Sequence, residues 1–414
     1  MATESSKVIR LYLGICGLFT LSASLIWGIN TLFLLWAGLD LFKVFIVNAV
    51  YTASMAFFEI PTGVFADTLG RKMSFVSGTV VLMIGTIAYA YVSVYENNFN
   101  YFIVASIVLG LAFTFYSGAV EAWVVDALEH TGYDESIDGV LAKGNVVSSL
   151  SMLVGTVSGG MMGTLDLRIP YILRAGILLV LAILAIFKMK DIGFEKRKLE
   201  IGKIPYEMKR IARDSFEYGV TNRSVKKLMA VSFFFSSFMM WGWYAWQPYF
   251  LGLYGDSEAV WVSGIVAAAI SLSMAAGSFF LPQILPAFKR RTRLLIFAYS
   301  IQTAMIILVG LSKSFHLAVA AFLVFAFSTG LAGPAKQAYL HSLIPSSQRA
   351  TIVSFDSLVG SSGSVIGQTG LGALSQEVSI ASGYVAGGLI TMIMIPVMYA
   401  LKRANDKEDF VLQD

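Results

Sequence analysis

Twelve apolar runs narrow what this chain can become more than any other feature. They lie at roughly 11–36, 43–63, 73–94, 101–127, 141–164, 169–189, 227–252, 259–283, 294–312, 317–341, 350–373 and 379–401. Each is near or above the ~20 residues that an α-helix needs to cross a bilayer. In the hydrocarbon core no water is available to backbone N–H and C=O groups, so such a run must satisfy them internally, as a helix. Composition agrees: 57% of the 414 residues are hydrophobic and 14% charged, where a soluble domain carries about 25% charged residues. The expected fold is an all-α membrane protein with twelve transmembrane helices in two six-helix halves.

The basic residues orient it. An even number of crossings puts both termini on one side, and 25 of the 30 Lys and Arg residues fall on that side. Only Lys43, Arg168 and Lys313 fall opposite, while Arg174 and Lys336 lie inside runs. Cytoplasmic loops carry such an excess, so the termini are expected in the cytoplasm. The longest polar stretch divides the chain into an N-terminal half (1–189), a cytoplasmic linker (190–226), and a C-terminal half with a short tail (227–414). After Pro205, the residues Met208, Ile211, Ala212 and Phe216 share one side, with Lys209, Arg210 and Arg213 between. That spacing fits an amphipathic helix on the inner leaflet, or a solvated linker. Met1–Arg10 is short and polar, and the run behind it is long enough to span, so no cleaved signal peptide is expected.

Several function classes drop out. The single cysteine, Cys16, excludes a disulfide framework. His130, His316 and His341 show no metal-ligand spacing, and no Gly-rich phosphate loop suggests an ATP-driven pump. No nucleophile-and-base pair points to an enzyme. No cofactor, metal or nucleic-acid partner is expected.

Between the second and third runs lies Gly63-Val-Phe-Ala-Asp67-Thr-Leu-Gly70-Arg71-Lys72, read as a tight charged turn. Gly63 lets helices approach closely, Gly70 permits positive φ, and Arg71 and Lys72 stay on the cytoplasmic side. The pattern resembles the corresponding loop of the major facilitator superfamily of transporters. Ile344-Pro345 followed by Gln348-Arg349-Ala350 resembles that superfamily's link between its tenth and eleventh spans. The second half echoes the first: Lys289-Arg290-Arg291 repeats the basic loop without its Asp. The resemblance implies two parallel six-helix repeats working by alternating access. It implies a gate formed by Gly63, Asp67, Gly70, Arg71 and Lys72 with Asp126 of the fourth span. It also implies a central cavity lined by the first, fourth, seventh and tenth spans, and a monomer.

Charge within a membrane helix costs about 2.5–3.5 kcal/mol on insertion scales, so each instance asks for a reason. Glu59, Glu121, Asp126, Lys336, Asp356 and Arg174 are the instances here. Glu121 follows Ser117-Gly118 and lies about 10 Å into the hydrocarbon at 1.5 Å per residue. Buried there, it suits a proton carrier near neutral pH, or a permanent partner of Lys336 or Arg174. Glu59 is either a brace or a second coupling group. Candidate substrate contacts are Glu121, Lys336, Trp27 and Asn30, with Trp243, Tyr244 and Gln247 of the seventh span. Five Trp and Tyr residues crowd Trp241–Tyr249, and such a wall suits cation–π and apolar contact. Tyr249 and Phe250 lie where an interfacial belt is expected. In the tenth span, Gly333-Pro334 just before Lys336 predicts a break whose freed carbonyls line a pathway.

Within the superfamily the chain resembles the drug:proton antiporter group. Two positions depart: Ser106 stands four residues before Gly110 where that group has arginine, and Thr156 replaces proline in Gly155-Thr-Val-Ser-Gly159-Gly160. Either coupling has moved to Glu121, or the protein is not a proton antiporter. The expected function is proton-coupled export of a small amphipathic substrate, with membrane lipids as surroundings and a bacterial inner membrane as location. Uptake, lipid or facilitated transport on the same fold, or a non-transporting sensor, are the alternatives.

Overall fold

The structure, a computed structural model, describes residues 2–93, 95, 98–116, 119–194, 222–345, 348–404 and 406–411. The expected helix after Pro205 and the pair Ser117-Gly118 lie outside the described residues. Eleven helices among the described residues are long and apolar enough to cross a membrane. The remaining run is Arg349–Glu377, as long as its neighbour Phe315–Leu343 at 29 residues. Six serines and five glycines dilute its hydropathy. Each of the twelve expected crossings is built of helix among the described residues, and large apolar side chains stand outward on them, among them Phe57 (62% exposed), Phe187 (75%) and Phe279 (69%). Apolar surface on this scale needs lipid against it.

The first span is Ala2–Trp27 continued by Asn30–Trp36. Next come Leu41–Leu69, Arg71–Val92, a fourth span described over Phe99–Tyr116 and Ala119–His130, Ile137–Leu165 and Ile169–Lys188. The seventh to tenth spans are Arg223–Tyr254, Val260–Phe288, Arg291–Leu311 and Phe315–Leu343. Arg349–Glu377 is the eleventh, and the twelfth is Ile380–Met392 with Met394–Lys402. The tenth span is continuous through Pro334, so the break expected there is absent. A proline removes one ladder bond without ending a helix that its neighbours hold.

The chain forms two compact units. One comprises Met1–Leu39, Val50–Tyr206 and Glu258–Ala268; the other Asp40–Ala49, Glu207–Ser257 and Ala269–Asp414. Each has its own apolar core at the inner end. In the first, Phe75, Val120, Trp123, Leu178 and Leu181 are buried together; in the second, Val225, Leu228, Leu294, Tyr339 and Met398.

The two units use the same packing rules. In the first, Gly155 and Gly159 of the fifth span seat against Ser24 and the Leu25 backbone of the first. In the second, Gly363 and Gly367 of the eleventh span seat against the Phe233 and Ser237 backbone of the seventh. Likewise Gly110 of the fourth span faces Ser54 of the second, where Ser54 Oγ donates to the Ile107 carbonyl at 2.8 Å. Gly277 and Gly330 bring the eighth and tenth spans together, with Ser273 Oγ donating to the Leu323 carbonyl at 2.7 Å. Lipid gives helices no hydrophobic reason to associate, so close backbone approach and hydroxyl bonds supply it.

Candidate functional site

The charged loop motif sits at the inner ends of the second, third and fourth spans. Most of it is helix. Gly63 to Leu69 continue the second span, and the turn is Gly70 alone, at φ 110°. A Cβ on Gly63 would meet nothing within 4 Å, so the close approach expected of it is absent; the second span faces open space there. Arg71 opens the third span, with Nη1 2.7 Å from Asp67 Oδ1 and Nε 3.8 Å from Asp126 Oδ2. One cation thus joins three helix ends. These side chains are partly exposed, and such pairs are worth about 0–1 kcal/mol; their effect is on position more than on stability.

A residue that sequence reasoning missed completes this end. Just after the sixth span, Asp191 Oδ1 accepts from the Lys72 backbone N–H at 2.8 Å, capping the third span where the helix dipole favours an anion. Lys72 Nζ donates to the Ile186 carbonyl at 2.7 Å. The second unit repeats the device. Thr292 N and Oγ1 donate to Asp409 Oδ1 and Oδ2, each at 2.8 Å, and Arg290 Nη1 lies 3.9 Å from Asp409. The C-terminal tail thus supplies the second unit with the capping carboxylate that Asp191 supplies in the first. The signal in the sequence is an aspartate just beyond the sixth and the twelfth span.

The remaining intramembrane charges fall into two kinds. Lys336 Nζ lies 2.8 Å from Asp356 Oδ2, and Ser232 of the seventh span bonds both. Three spans of the second unit are tied by this trio, and Ser232 is its unforeseen member. Glu59 and Glu121, by contrast, are exposed and make no ion pair among the described residues. The burial expected of Glu121 is therefore not found, nor is a pairing with Lys336 or Arg174. Its carboxylate lies within electrostatic reach of Tyr12, Cys16 and Tyr116 on the first and fourth spans. Tyr116 in turn stacks on Phe19, with ring centroids 3.3 Å apart.

Of the candidate substrate contacts, Trp27, Asn30, Trp243 and Tyr244 are half-buried, and Gln247 is fully buried. Asn30 Oδ1 accepts from the Tyr171 hydroxyl at 2.9 Å. Trp243 lies beside Phe322, 6.1 Å between ring centres. Tyr249 and Phe250 are not belt residues: the Tyr249 hydroxyl donates to the Val309 carbonyl at 2.9 Å, and Phe250 is buried against Trp246 and Phe322. The seventh span is core at this level, so its aromatics pack on helices. Arg174, on the sixth span, is half-buried with its Nε enclosed.

Helices of bilayer length in two like-packed units, with charges kept inside them, define a multi-pass membrane protein of transporter architecture. The chain matches the Major Facilitator Superfamily over residues 13–368 and belongs to that superfamily. It is 21% identical over 385 residues to the uncharacterized MFS-type transporter YxaM of Bacillus subtilis (strain 168), spanning 91% of this chain and 92% of that one. Among solved structures of the same fold, the nucleoside transporter NupG gives a TM-score of 0.79 at 10% identity, covering 96% of this chain and 99% of that one. A POT family transporter in complex with 5-aminolevulinic acid gives 0.74 at 13% identity, covering 96% of each.

Proposed function

We propose that this protein is a secondary active transporter that exports an amphipathic small molecule in exchange for protons, by alternating access. It acts as a monomer in a bacterial inner membrane, surrounded by lipid and without cofactor or nucleic acid. The observation that carries the reading is the contrast among the membrane carboxylates. Asp126 and Asp356 are held by Arg71 and Lys336, whereas Glu121 and Glu59 are exposed and unpaired among the described residues. A carboxylate without a fixed cation can take up and release a proton during a cycle, while a salt-bridged one is committed. Glu121 is the coupling group in this reading and Glu59 a second one. Trp27 and Asn30 are the substrate contacts of the first unit in this reading, and Trp243, Tyr244 and Gln247 those of the second; Lys336 joins the latter only by letting go of Asp356. The finer likeness to drug:proton antiporters rests on this coupling.

The test is flux in proteoliposomes under an imposed pH gradient, with a trapped dye reporting internal pH and lipophilic cations and neutral amphiphiles as trial substrates. Substrate-dependent proton flux is expected for the native protein and its loss for Glu121→Gln at equal membrane content. Unchanged gradient-driven flux in that variant would remove Glu121 from the mechanism. Uptake or facilitated transport is the second reading, drawn from the nucleoside and POT family transporters of like fold; substrate movement without proton movement would select it.

A further inference from the structure

Arg174 has no part in the coupling, gating or substrate contacts proposed for this protein. It lies about 8 Å below the outer end of the sixth span, counting 1.5 Å per residue from Ile169, and it points into the first unit. The hydroxyls of Tyr51, Tyr89 and Tyr171, from the second, third and sixth spans, lie within electrostatic reach of it. All three are neutral, and two are already engaged. The Tyr171 hydroxyl donates to Asn30 Oδ1, and the Tyr89 hydroxyl shares a 3.5 Å contact with Ser106. Arg174 Nε is buried with no hydrogen-bond partner, and no carboxylate pairs with the guanidinium among the described residues. Arg168, the residue just before the sixth span, shows what a satisfied arginine looks like: its Nε donates to both oxygens of Asp166, at 3.0 and 3.1 Å.

A cation taken out of water is retained where it is paired. A guanidinium offers a planar fork of donors matched to a carboxylate or phosphate, and here its Nε lacks an acceptor among the described residues. We infer that Arg174 anchors an oxyanion-binding site in the outer half of the first unit, taking the carboxylate or phosphate of an amphipathic ligand. Phe33, fully buried with its ring centre 4.2 Å from that of Tyr171 in a tilted pair, makes the surroundings of that tyrosine apolar. As a substrate subsite it rests on the transporter reading and deepens it: the cargo carries an anionic group. As a binding site it does not depend on transport.

The experiment measures thermal unfolding in neutral detergent with added decanoate, decanol or phosphatidylglycerol. Decanoate is expected to raise the midpoint of the native protein more than decanol does, and Arg174→Lys to need about tenfold more decanoate for the same shift. An Arg174-dependent response to phosphatidylglycerol alone would keep the oxyanion site and assign it to a lipid headgroup. Equal shifts from decanoate and decanol in the native protein would overturn the inference, whether or not the variant folds. So would an unchanged decanoate response in Arg174→Lys. A decanoate site without proton-coupled flux of decanoate in the same vesicles would leave Arg174 standing and remove the exporter; coupled flux of any trial substrate with no oxyanion response would do the reverse.

Discussion

Gly70 carries two constraints at once. Its φ of 110° is open to glycine and strained for other residues, at about 1–3 kcal/mol. A Cβ there would also run into the Asp191 carboxylate that caps Lys72. Gly70→Ala is therefore expected to lower stability by more than the strain alone. Gly132 is the control: its φ is also positive, at 63°, but a Cβ there would meet nothing within 4 Å. Chemical unfolding in detergent should rank Gly70→Ala clearly below Gly132→Ala; equal losses would mean that Asp191 yields freely. The glycine was legible in the sequence because its neighbours, a helix-length run on each side, demand a reversal. Asp191 was not, since its partner lies 119 positions away. Depth decided the rest: counting residues places Glu121 along its helix, but which way it faces depends on what the helix packs against.

Helices were the most legible level. Bilayer length fixes their number and the basic residues fix their direction, because both follow from solvation rather than from packing. What escaped were features set by neighbours: the continuity of the tenth span through Pro334, the interruption of the first span after Trp27, and the helix that swallows Gly63 to Leu69. The glycines of the eleventh span show the same limit. Gly367 lies against the Ser237 carbonyl of the seventh span, whereas a Cβ on Gly370, three residues on, would meet nothing within 4 Å. Alanine in a helix interior gains about 0.8–1 kcal/mol over glycine by propensity, while overpacking costs about 1–3 kcal/mol. Gly370→Ala should thus hold or raise the unfolding midpoint, and Gly367→Ala should lower it. A Gly367→Ala protein as stable as native would show that the seventh and eleventh spans separate at no cost.

For the whole molecule, the Asp67–Arg71–Asp126 network is expected to act through rate. Its partly exposed pairs, at 2.7 and 3.8 Å, contribute about 0–1 kcal/mol each, too little to decide whether a chain of this size folds. A transport cycle is more sensitive, since about 1.4 kcal/mol in a barrier changes its rate tenfold. Contacts made in one access state and released in another act on that barrier through the difference between states. Asp67→Asn removes the charge and keeps the shape. It is expected to leave the unfolding midpoint and the substrate dissociation constant unchanged while slowing transport by up to about tenfold. Equilibrium binding and initial flux, measured with one substrate on the same preparation, separate the two effects. Slower flux with intact binding assigns the network to the conformational step. Lost binding would instead make Asp67 part of the substrate site, and the inner charged turn would then act on the cargo rather than on the cycle.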